Sequence, residues 1–325
     1  MGQLWRRNAR VAFGVAGDEF TNFIFPLIGL SEEQMQRLRG GPAPFDKVVT
    51  DLRIAFDIEK SNEPSANTGK IIIYNLNETS RGFLQNSTSE LTVVLEVGYG
   101  LRPPGEEPER FFNIVDQRDY KLLFTGTIIR ATSVRKGPDW ITTIQAEDGG
   151  TALTDAYLNK PFGPKTSYRA MAEEAIKKMV EAGNIIWNGF DSFKTALREE
   201  LSKKKTQHGE SVSERAMGFL ERVLKKLGLE PSIQNNELII MGEGASAPEK
   251  GFLFSPETGL LGSPAFREEG IEVEALIVDP RIQPGDAFVL DSALIDGTFR
   301  VQKAKFKGDT RGSAWRINIE ADDNA

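Results

Sequence analysis

The spacing of apolar residues changes twice along this chain of 325 residues, and no other feature limits its fold as much. Residues 52–59 alternate apolar and polar side chains with a period near two, which is typical of a half-buried strand. Between residues 165 and 228 the apolar residues instead recur at intervals of three and four, as on one face of a helix. Short β-branched and alternating runs return after residue 237. The order of elements is therefore β, then α, then β again, and the length allows two domains, each with its own core.

The β-rich segments are separated by turn residues, as in small antiparallel barrels or sandwiches. In the first half we predict strands over residues 10–17, 52–59, 70–74, 91–97, 122–134 and 140–146. In the second half we predict strands over residues 237–241, 251–253, 271–278, 287–291, 298–306 and 315–320. Two predicted loops, residues 31–45 and 101–110, interrupt the first set.

The middle of the chain is predicted to form helices, each with recognisable end signals. A serine or threonine cap precedes the first and third, a glycine follows each of them, and the second ends in lysines that the helix dipole favours. Their predicted bounds are Thr166 or Ser167 to Gly183, residues 190–205, and Ser211 or Ser213 to Gly228.

The two β-rich segments end in similar patterns. Gly126-Thr127 opens a predicted hairpin whose return strand starts at Trp140, and Gly297-Thr298 opens another whose return strand starts at Trp315. Each return strand ends in an acidic pair. The distance from Gly to Trp is 14 residues in the first hairpin and 18 in the second, a difference that a longer turn would absorb. We therefore predict a duplicated barrel, with the convergence of two ordinary hairpins as the alternative.

The composition excludes several classes of site. The chain has no cysteine, which rules out disulfides, zinc–thiolate sites and thiol catalysis, and its one histidine, His208, rules out a metal site with several histidines. The net charge of −7 argues against affinity of the whole protein for nucleic acid or an anionic membrane, because its field repels phosphate. No apolar run approaches the roughly 18 residues of a spanning helix. The start of the chain lacks a signal-peptide pattern, so we expect neither membrane insertion nor general secretory export.

Motifs that resemble ligand sites each have a plainer interpretation. Gly163-Pro164-Lys165-Thr166 resembles the end of a phosphate-binding loop, but the proline removes a backbone donor, which favours a turn. Gly242-Glu243-Gly244-Ala245-Ser246-Ala247 resembles a dinucleotide loop, but Pro248 falls where the helix should run, which favours a glycine-rich loop. His208 lacks a recognisable partner acid and nucleophile and is predicted to be an exposed loop residue.

Charged and aromatic candidates are interpreted in the same way. Glu147-Asp148 and Asp322-Asp323 could be the acid–base pairs of a glycosidase, although carboxylates at strand ends are common. Lys203-Lys204-Lys205 could contact phosphates, although a solvated helix end is favoured. Trp140 and Trp315 are predicted to be core aromatics rather than binding platforms. We therefore predict no catalytic, cofactor-binding or metal-binding residue, no cofactor and no enzymatic activity.

Many short motifs, in order along residues 50–325, resemble the baseplate hub and late-control D-like superfamily of tailed-bacteriophage tail proteins. In the first half these motifs are Gly98-Tyr99-Gly100, Phe124-Thr125-Gly126-Thr127-Ile128, Gly137-Pro138-Asp139-Trp140-Ile141-Thr142 and Asp148-Gly149. In the second half they lie at residues 228–234, 253–264, 278–286 and 308–315, including Val278-Asp279-Pro280 and Gln283-Pro284-Gly285-Asp286.

The resemblance implies a mainly β chain with an α-helical middle, in which two tube-type antiparallel β-barrel domains flank a helical region. The implied units are an N-terminal strand with a docking insertion (residues 1–50), a first barrel (51–162), a helical domain (163–230) and a second barrel (231–325). Three such chains would form a homotrimeric ring whose six barrels adapt a sixfold tail tube to a threefold central spike. DNA would pass through the ring without sequence-specific binding.

The resemblance also implies partners and a location. The expected partners are a second and third copy of the chain, the central spike protein, the tail tube protein and the tape measure protein, with baseplate wedge proteins as a further option. The expected location is the tail baseplate of the virion, after assembly in the host cytoplasm. Two alternatives remain open: a distal tail ring protein of a non-contractile tail, and a tail-associated cell-wall glycosidase.

Overall fold

A computed structural model describes residues 6–15, 47–63, 65–100, 118–183, 185–189, 201–242, 247–268 and 270–323. The protein is mainly β. The first β-rich part contains strands β1 Arg6–Val15, β2 Lys47–Val49, β3 Ile54–Ser61, β4 Asn67–Tyr74, β5 Leu91–Gly100, β6 Arg118–Lys136 and β7 Asp139–Asp148, with helix α1 Glu78–Asn86. The predicted loops over residues 31–45 and 101–110 lie outside the described residues.

The rest of the chain mixes helices and strands before returning to β structure. Its middle contains α2 Gly150–Asp155, β8 Tyr157–Phe162, α3 Tyr168–Ala182, β9 Glu210–Arg215, α4 Ala216–Lys225, β10 Leu229–Gln234 and β11 Glu237–Gly242. Its last part contains β12 Ala247–Phe254, a 3-10 helix Pro256–Thr258, β13 Ala265–Phe266, β14 Ile271–Leu276, β15 Asp286–Leu290, β16 Gly297–Asp309 and β17 Trp315–Asp323.

The first and last parts share one sheet. Its strand order is β13-β14-β17-β16-β3-β4-β7-β6-β5-β1-β2, with β15 pairing to both β16 and β12. The contact between β16 and β3 joins the two parts through seven opposed residue pairs, from Lys303 opposite Ser61 to Asp309 opposite Ala55. Over the described residues this path has two open ends, β13 and β2.

The alternation predicted for residues 52–59 explains how the sheet presents one face to the core. In β3, Ile54, Phe56 and Ile58 are buried, whereas Asp57 and Glu59 are half-buried on the opposite face. Side chains of this kind from both parts of the chain form one continuous apolar cluster, which extends from Ala9 to Ala321. The sequence alone predicts a separate core for each part, whereas in the structure the two parts share one core.

A second apolar cluster lies in residues 152–240, where α3 and α4 pack against the antiparallel strand pair β8–β9 and the hairpin β10–β11. The predicted cap of α3 is confirmed, because the Ser167 hydroxyl accepts a hydrogen bond from the Ala170 backbone N–H at 3.2 Å, and the helix ends at Gly183. The middle is therefore only partly helical. Most of the predicted helix over residues 190–205 lies outside the described residues, although residues 201–203 are helical.

The predicted start of the third helix, after Ser211 or Ser213, is wrong. Both serines lie in β9, which pairs antiparallel with β8, and α4 begins at Ala216. Alternating exposure in β9, with Val212 buried between exposed serines, satisfies the period of a strand. The pairing partner lies some fifty residues earlier along the chain, so a local capping signal could not compete with it.

The sheet contains the same four-stranded unit twice. The first unit has the order β3-β4-β7-β6 and the second has the order β13-β14-β17-β16, and all neighbours within each are antiparallel. Each predicted hairpin, β6–β7 and β16–β17, has one extra residue in its outgoing strand, Ile129 in β6 and Gln302 in β16. In each hairpin an alanine follows the tryptophan by six residues, Ala146 in β7 and Ala321 in β17. The bulge comes directly after the residue that lies opposite this alanine. The two hairpins are therefore equivalent residue by residue.

This register corrects one detail of the repeat. Counting from the bulges, Gly126 is equivalent to Phe299, so Gly297-Thr298 lies two residues further out than Gly126-Thr127. The turn of the second hairpin, residues 310–313, is two residues longer than the turn of the first, residues 137–138. This accounts for only half of the difference between the two Gly-to-Trp distances. The prediction that the turn absorbs all of it is wrong.

Candidate assembly surfaces

The candidate ligand residues of the sequence do not converge on one site. Gly163-Pro164-Lys165-Thr166 forms a turn before α3, in which the Thr166 hydroxyl donates to the Gly163 carbonyl at 2.6 Å. His208 lies exposed in the connection to β9, and Lys203-Lys204-Lys205 is exposed nearby. The loop at residues 243–246 lies outside the described residues.

The described residues contain neither a cluster of metal ligands nor a membrane-spanning helix. They include no group of three or more His, Asp or Glu side chains arranged to hold a metal ion. Within the same residues, no helix has both the length and the apolar character needed to cross a bilayer.

The two tryptophans have different environments. Trp315 is buried, its ring stands edge-on to Phe56 at 5.6 Å and to Tyr99 at 6.0 Å, and its indole N–H donates to the Ile277 carbonyl at 3.3 Å. Trp140 is half-buried, with the Arg81 guanidinium 4.2 Å above its ring. Both belong to the sheet and its covering helix rather than to a binding groove.

Asp148 links the two apolar clusters. Its side chain is fully buried at the end of β7, where it receives hydrogen bonds from the backbone N–H groups of Asn235 at 2.6 Å and Asn236 at 2.5 Å. The Asn67 amide donates to the same carboxylate at 3.1 Å, and to the Ile233 carbonyl at 2.9 Å. The tip of the β10–β11 hairpin is thereby fastened to the first four-stranded unit.

Burial raises the pKa of Asp148, and hydrogen bonds from Asn236, Asn67 and Asn235, together with the charge of Lys60, oppose that rise. The Lys60 ammonium is itself buried and donates to the Asn235 side chain at 3.2 Å. Because the turn and Asn67 occupy the carboxylate, it is closed to a substrate. The acidic pair Glu147-Asp148 therefore supplies a structural anchor, with Glu147 half-buried beside it.

The partners of Asp148 were not among the residues singled out from the sequence. Asn235 and Asn236 form the two-residue turn between β10 and β11, and both have positive φ, 56° and 63°. Asparagine tolerates positive φ better than most residues, so the two asparagines between these strands favour such a turn. Its docking onto Asp148 depends on a contact across 87 residues, which no local pattern encodes.

The solvent-facing side of the two units carries charges of both signs that pair across strands. Arg316 on β17 lies 2.9 Å from Glu274 on β14, and Lys305 on β16 lies 3.6 Å from Glu59 on β3. Lys303 also pairs with Glu59. Cations on this face of β16 and β17 therefore have carboxylate partners on the neighbouring strands.

The pairs around Glu59 make the contact between β16 and β3 dependent on pH. The hydrogen bond from Lys303 is the main cause that holds the pKa of Glu59 below its ordinary value. A carboxylate whose pKa is lowered in the folded state stabilises the fold above its ordinary pKa and loses this contribution as the pH falls. Since Glu59 is about one-third exposed (37%), solvent weakens the effect.

We expect Glu59→Gln to lower the free energy of unfolding at pH 7 by about 0.2–1 kcal/mol, because it removes the charge that Lys303 and Lys305 share. The difference from the wild type should shrink as the pH falls below the ordinary pKa of a glutamate, and it should disappear once the pH is below the lowered pKa of Glu59 in the folded protein. Urea unfolding at a series of pH values measures it. In a K303M/K305M background the same substitution should have no pH-dependent effect, and an unchanged effect there would contradict the assignment.

Exposed apolar side chains are concentrated at two strand edges. Phe266 on β13 is 77% exposed, and Ile129 and Val134 on β6 are 59% and 58% exposed. Leu294, 72% exposed, lies in the turn before β16. Three of the four most exposed large apolar side chains among the described residues thus lie on β13 or on the part of β6 beyond its pairing with β5, where backbone groups are also open to another strand.

Comparisons with known proteins identify the family of the chain. The family model described as baseplate hub gp41 matches residues 38–321. A search of curated proteins finds no match.

Solved structures share the fold at low sequence identity. A tail protein from Neisseria meningitidis MC58 superposes with a TM-score of 0.56 at 11% identity, covering 96% of each chain. The 43 kDa tail protein of prophage MuSo2 from Shewanella oneidensis gives 0.56 at 8% identity, covering 86% of this chain and 94% of that one. The Escherichia coli c3393 protein, a component of the type VI secretion system, gives 0.50 at 11% identity, covering 83% and 73%.

The family match covers most of the chain, and the similar folds come from phage tail proteins and a related secretion system. The resemblance found in the sequence motifs is confirmed, and so is the expected place of the protein in the phage tail baseplate. The chain belongs to the baseplate hub gp41 family.

Proposed function

We infer that this protein is the structural hub of the baseplate: a homotrimeric ring that adapts the sixfold tail tube to the threefold central spike and lines the DNA channel. The observation that carries this proposal is the repeated four-stranded unit with equivalent bulges at Ile129 and Gln302. Three chains supply six such units, so a ring with threefold symmetry presents six similar surfaces to the tube.

In this proposal the two units are the tube-like modules that the sequence predicts as barrels, over residues 51–162 and 231–325. The middle, residues 163–230, is a separate docking region, and the β10–β11 hairpin at its end is fastened to the first unit through Asp148. Contacts of the ring with the spike, tube, tape measure and baseplate wedge proteins belong to the proposal as well. The similarity of the E. coli c3393 protein to the tail proteins gp27 and gp5 of bacteriophage T4 supports such an assembly.

The paired charges on the solvent-facing side of the units suit a channel for DNA. A cation that already has a carboxylate partner, such as Lys305 beside Glu59, gains little from a phosphate. Phosphates would then slide past without releasing many counterions, so the DNA would not be held. We assign this face to the channel wall.

We propose no catalytic step for this chain. A glycosidase needs two carboxyl groups that reach one glycosidic bond, one on each side. Asp148 is buried and accepts hydrogen bonds from the turn at Asn235 and Asn236, which leaves the acidic pair at the end of β7 without an accessible second carboxylate.

We expect the purified protein to form trimers at high concentration, because exposed strand edges and apolar side chains favour association. Native mass spectrometry and sedimentation at increasing concentration measure this, with addition of purified spike and tube proteins as a second arm. A chain that stays monomeric in every arm would contradict the proposal. Hydrolysis of cell-wall polymers that is lost on replacing one carboxylate would instead support the glycosidase alternative.

A further inference from the structure

β6 loses its partner β5 at its bulge as β16 loses β15, but no described strand takes the place that β3 has beside β16. Before the bulge, β6 pairs with β5 up to Thr127, and β16 pairs with β15 up to Arg300, which is the equivalent residue. After the bulge, β16 pairs with β3 over residues 303–309. Over the equivalent residues 130–136, β6 pairs with β7 on one side and with no described strand on the other.

The strand equivalent to β3 in the second unit is β13. Among the described residues it has no partner on the side where β3 pairs with β16. Both strands lie beside the equivalent strands β4 and β14, so that Ile58 of β3 and Phe266 of β13 occupy the same position. Ile58 is fully buried in the contact with β16, whereas Phe266 is 77% exposed. Among the described residues, β13 pairs with β14 alone.

We propose that residues 130–136 of β6 pair with β13 of a second copy of this chain, and that this contact repeats the contact between β16 and β3 within one chain. The proposal rests on the proposed function, since it specifies how the three copies join. A contact between two different edges is heterologous and closes into a ring when the rotation between units allows it. If each unit meets the next through the same pairing, three chains give six equivalent steps around the channel.

Equivalence also gives the register between copies. Phe306 lies opposite Ile58 in the contact within the chain, and Ser133 occupies the place of Phe306 in β6. Ser133 should therefore lie opposite Phe266 of the neighbouring copy. Both side chains face the core side of the sheet, because Ser133 bonds the buried Thr142 at 3.0 Å and Phe266 lies opposite the buried Ile271.

The side chains at the two edges suit each other. In this register Val134, 58% exposed, lies opposite the exposed Ala265 on the solvent-facing side. Phe266 would cover the half-buried Ala131 and Ser133 on the core side. The contact within the chain places Lys303 and Lys305 against Glu59, whereas the contact between chains places Val134 against Ala265 and Ser133 against Phe266.

Cysteine cross-linking tests the register directly, because the chain has no cysteine of its own. Opposed residues in antiparallel strands have Cα atoms about 4.5–5.5 Å apart, which suits a disulfide. After mild oxidation, S133C/F266C should give a covalent trimer that resists denaturant and dissociates on reduction. T132C/F266C is the matched control: a shift of one residue directs the side chain to the other face, so little cross-linking is expected.

Each outcome either supports the pairing or overturns it. If S133C/F266C forms trimers before oxidation but gives no cross-link after oxidation, the strand pairing would be overturned while the ring would stand. Equal cross-linking in T132C/F266C would overturn the register. Absence of any trimer in the wild type as well would overturn the proposed function together with this contact.

A second pair of variants does not depend on disulfide formation. Phe266→Lys should weaken trimer formation at least tenfold without changing the unfolding midpoint of the monomer, because the side chain is exposed in the single chain. Leu294→Lys changes an equally exposed apolar residue away from both edges and should leave the trimer unaffected. Equal effects of the two variants, or none from Phe266→Lys, would overturn the proposal.

Discussion

We expect Asp148→Ala to lower the free energy of unfolding by about 3–5 kcal/mol, because it leaves buried donors without an acceptor. The donors are the backbone N–H groups of Asn235 and Asn236 and the Asn67 amide, and the Lys60 ammonium would lose its nearby negative charge. Chemical denaturation followed by circular dichroism measures the loss. Because Asp148 connects two apolar clusters, the variant should also unfold in two steps rather than one.

Two variants separate this explanation from a general effect of mutation. Asp148→Asn keeps the size and one acceptor oxygen, so its cost should be smaller, about 1–3 kcal/mol. Glu147→Ala changes the half-buried neighbour on the other face of β7, and its cost should stay below about 1 kcal/mol. A cost below about 1 kcal/mol for Asp148→Ala would show that the turn is held by other contacts.

The elements with strong local signals were predictable from the sequence. Alternation over residues 52–59 corresponds to β3, and the Ser167 cap and Gly183 correspond to the ends of α3. The two tryptophan-led return strands correspond to β7 and β17. Each of these signals acts within a few residues, so it needs no knowledge of the rest of the fold.

The parts that were not predictable depend on distant pairing. Ser211 and Ser213 favour a helix cap locally, but pairing of β9 with β8 makes them strand residues. The Gly-Thr match suggests an alignment that differs by two residues from the register of the bulges, because bulges become visible only once strands pair. The joining of the two units through β16 and β3 links residues more than two hundred positions apart, which no periodicity can report.

The candidate surfaces, like the fold, were predictable from the sequence only in part. The sequence motifs indicate a tail hub and a duplicated β module. The edges at Val134 and Phe266 are recognisable only after each is compared with its equivalent in the other unit. An exposed phenylalanine is common on protein surfaces. Phe266 indicates an interface because its equivalent in the first unit, Ile58, is buried in the contact with β16.

We expect Gly308→Ala to lower the free energy of unfolding by roughly 1–3 kcal/mol, because the added carbon overfills the contact between β16 and β3. Gly308 lies opposite Phe56, and a Cβ there would overlap the ring of Phe56. That ring is buried and packs edge-on against Trp315 with the ring centroids 5.6 Å apart, so moving it aside would disturb this contact. Thermal and urea unfolding measure the loss.

Gly251→Ala is the matched control for Gly308→Ala, since a Cβ at Gly251 would meet no described atom within 4 Å. It should change stability by less than about 0.5 kcal/mol. Because the contact between β16 and β3 joins the two four-stranded units, Gly308→Ala should also weaken trimer formation, whereas Gly251→Ala should not. A stable Gly308→Ala variant with normal trimers would mean that the Phe56 ring can move aside, and that the junction between the units tolerates more than its packing indicates.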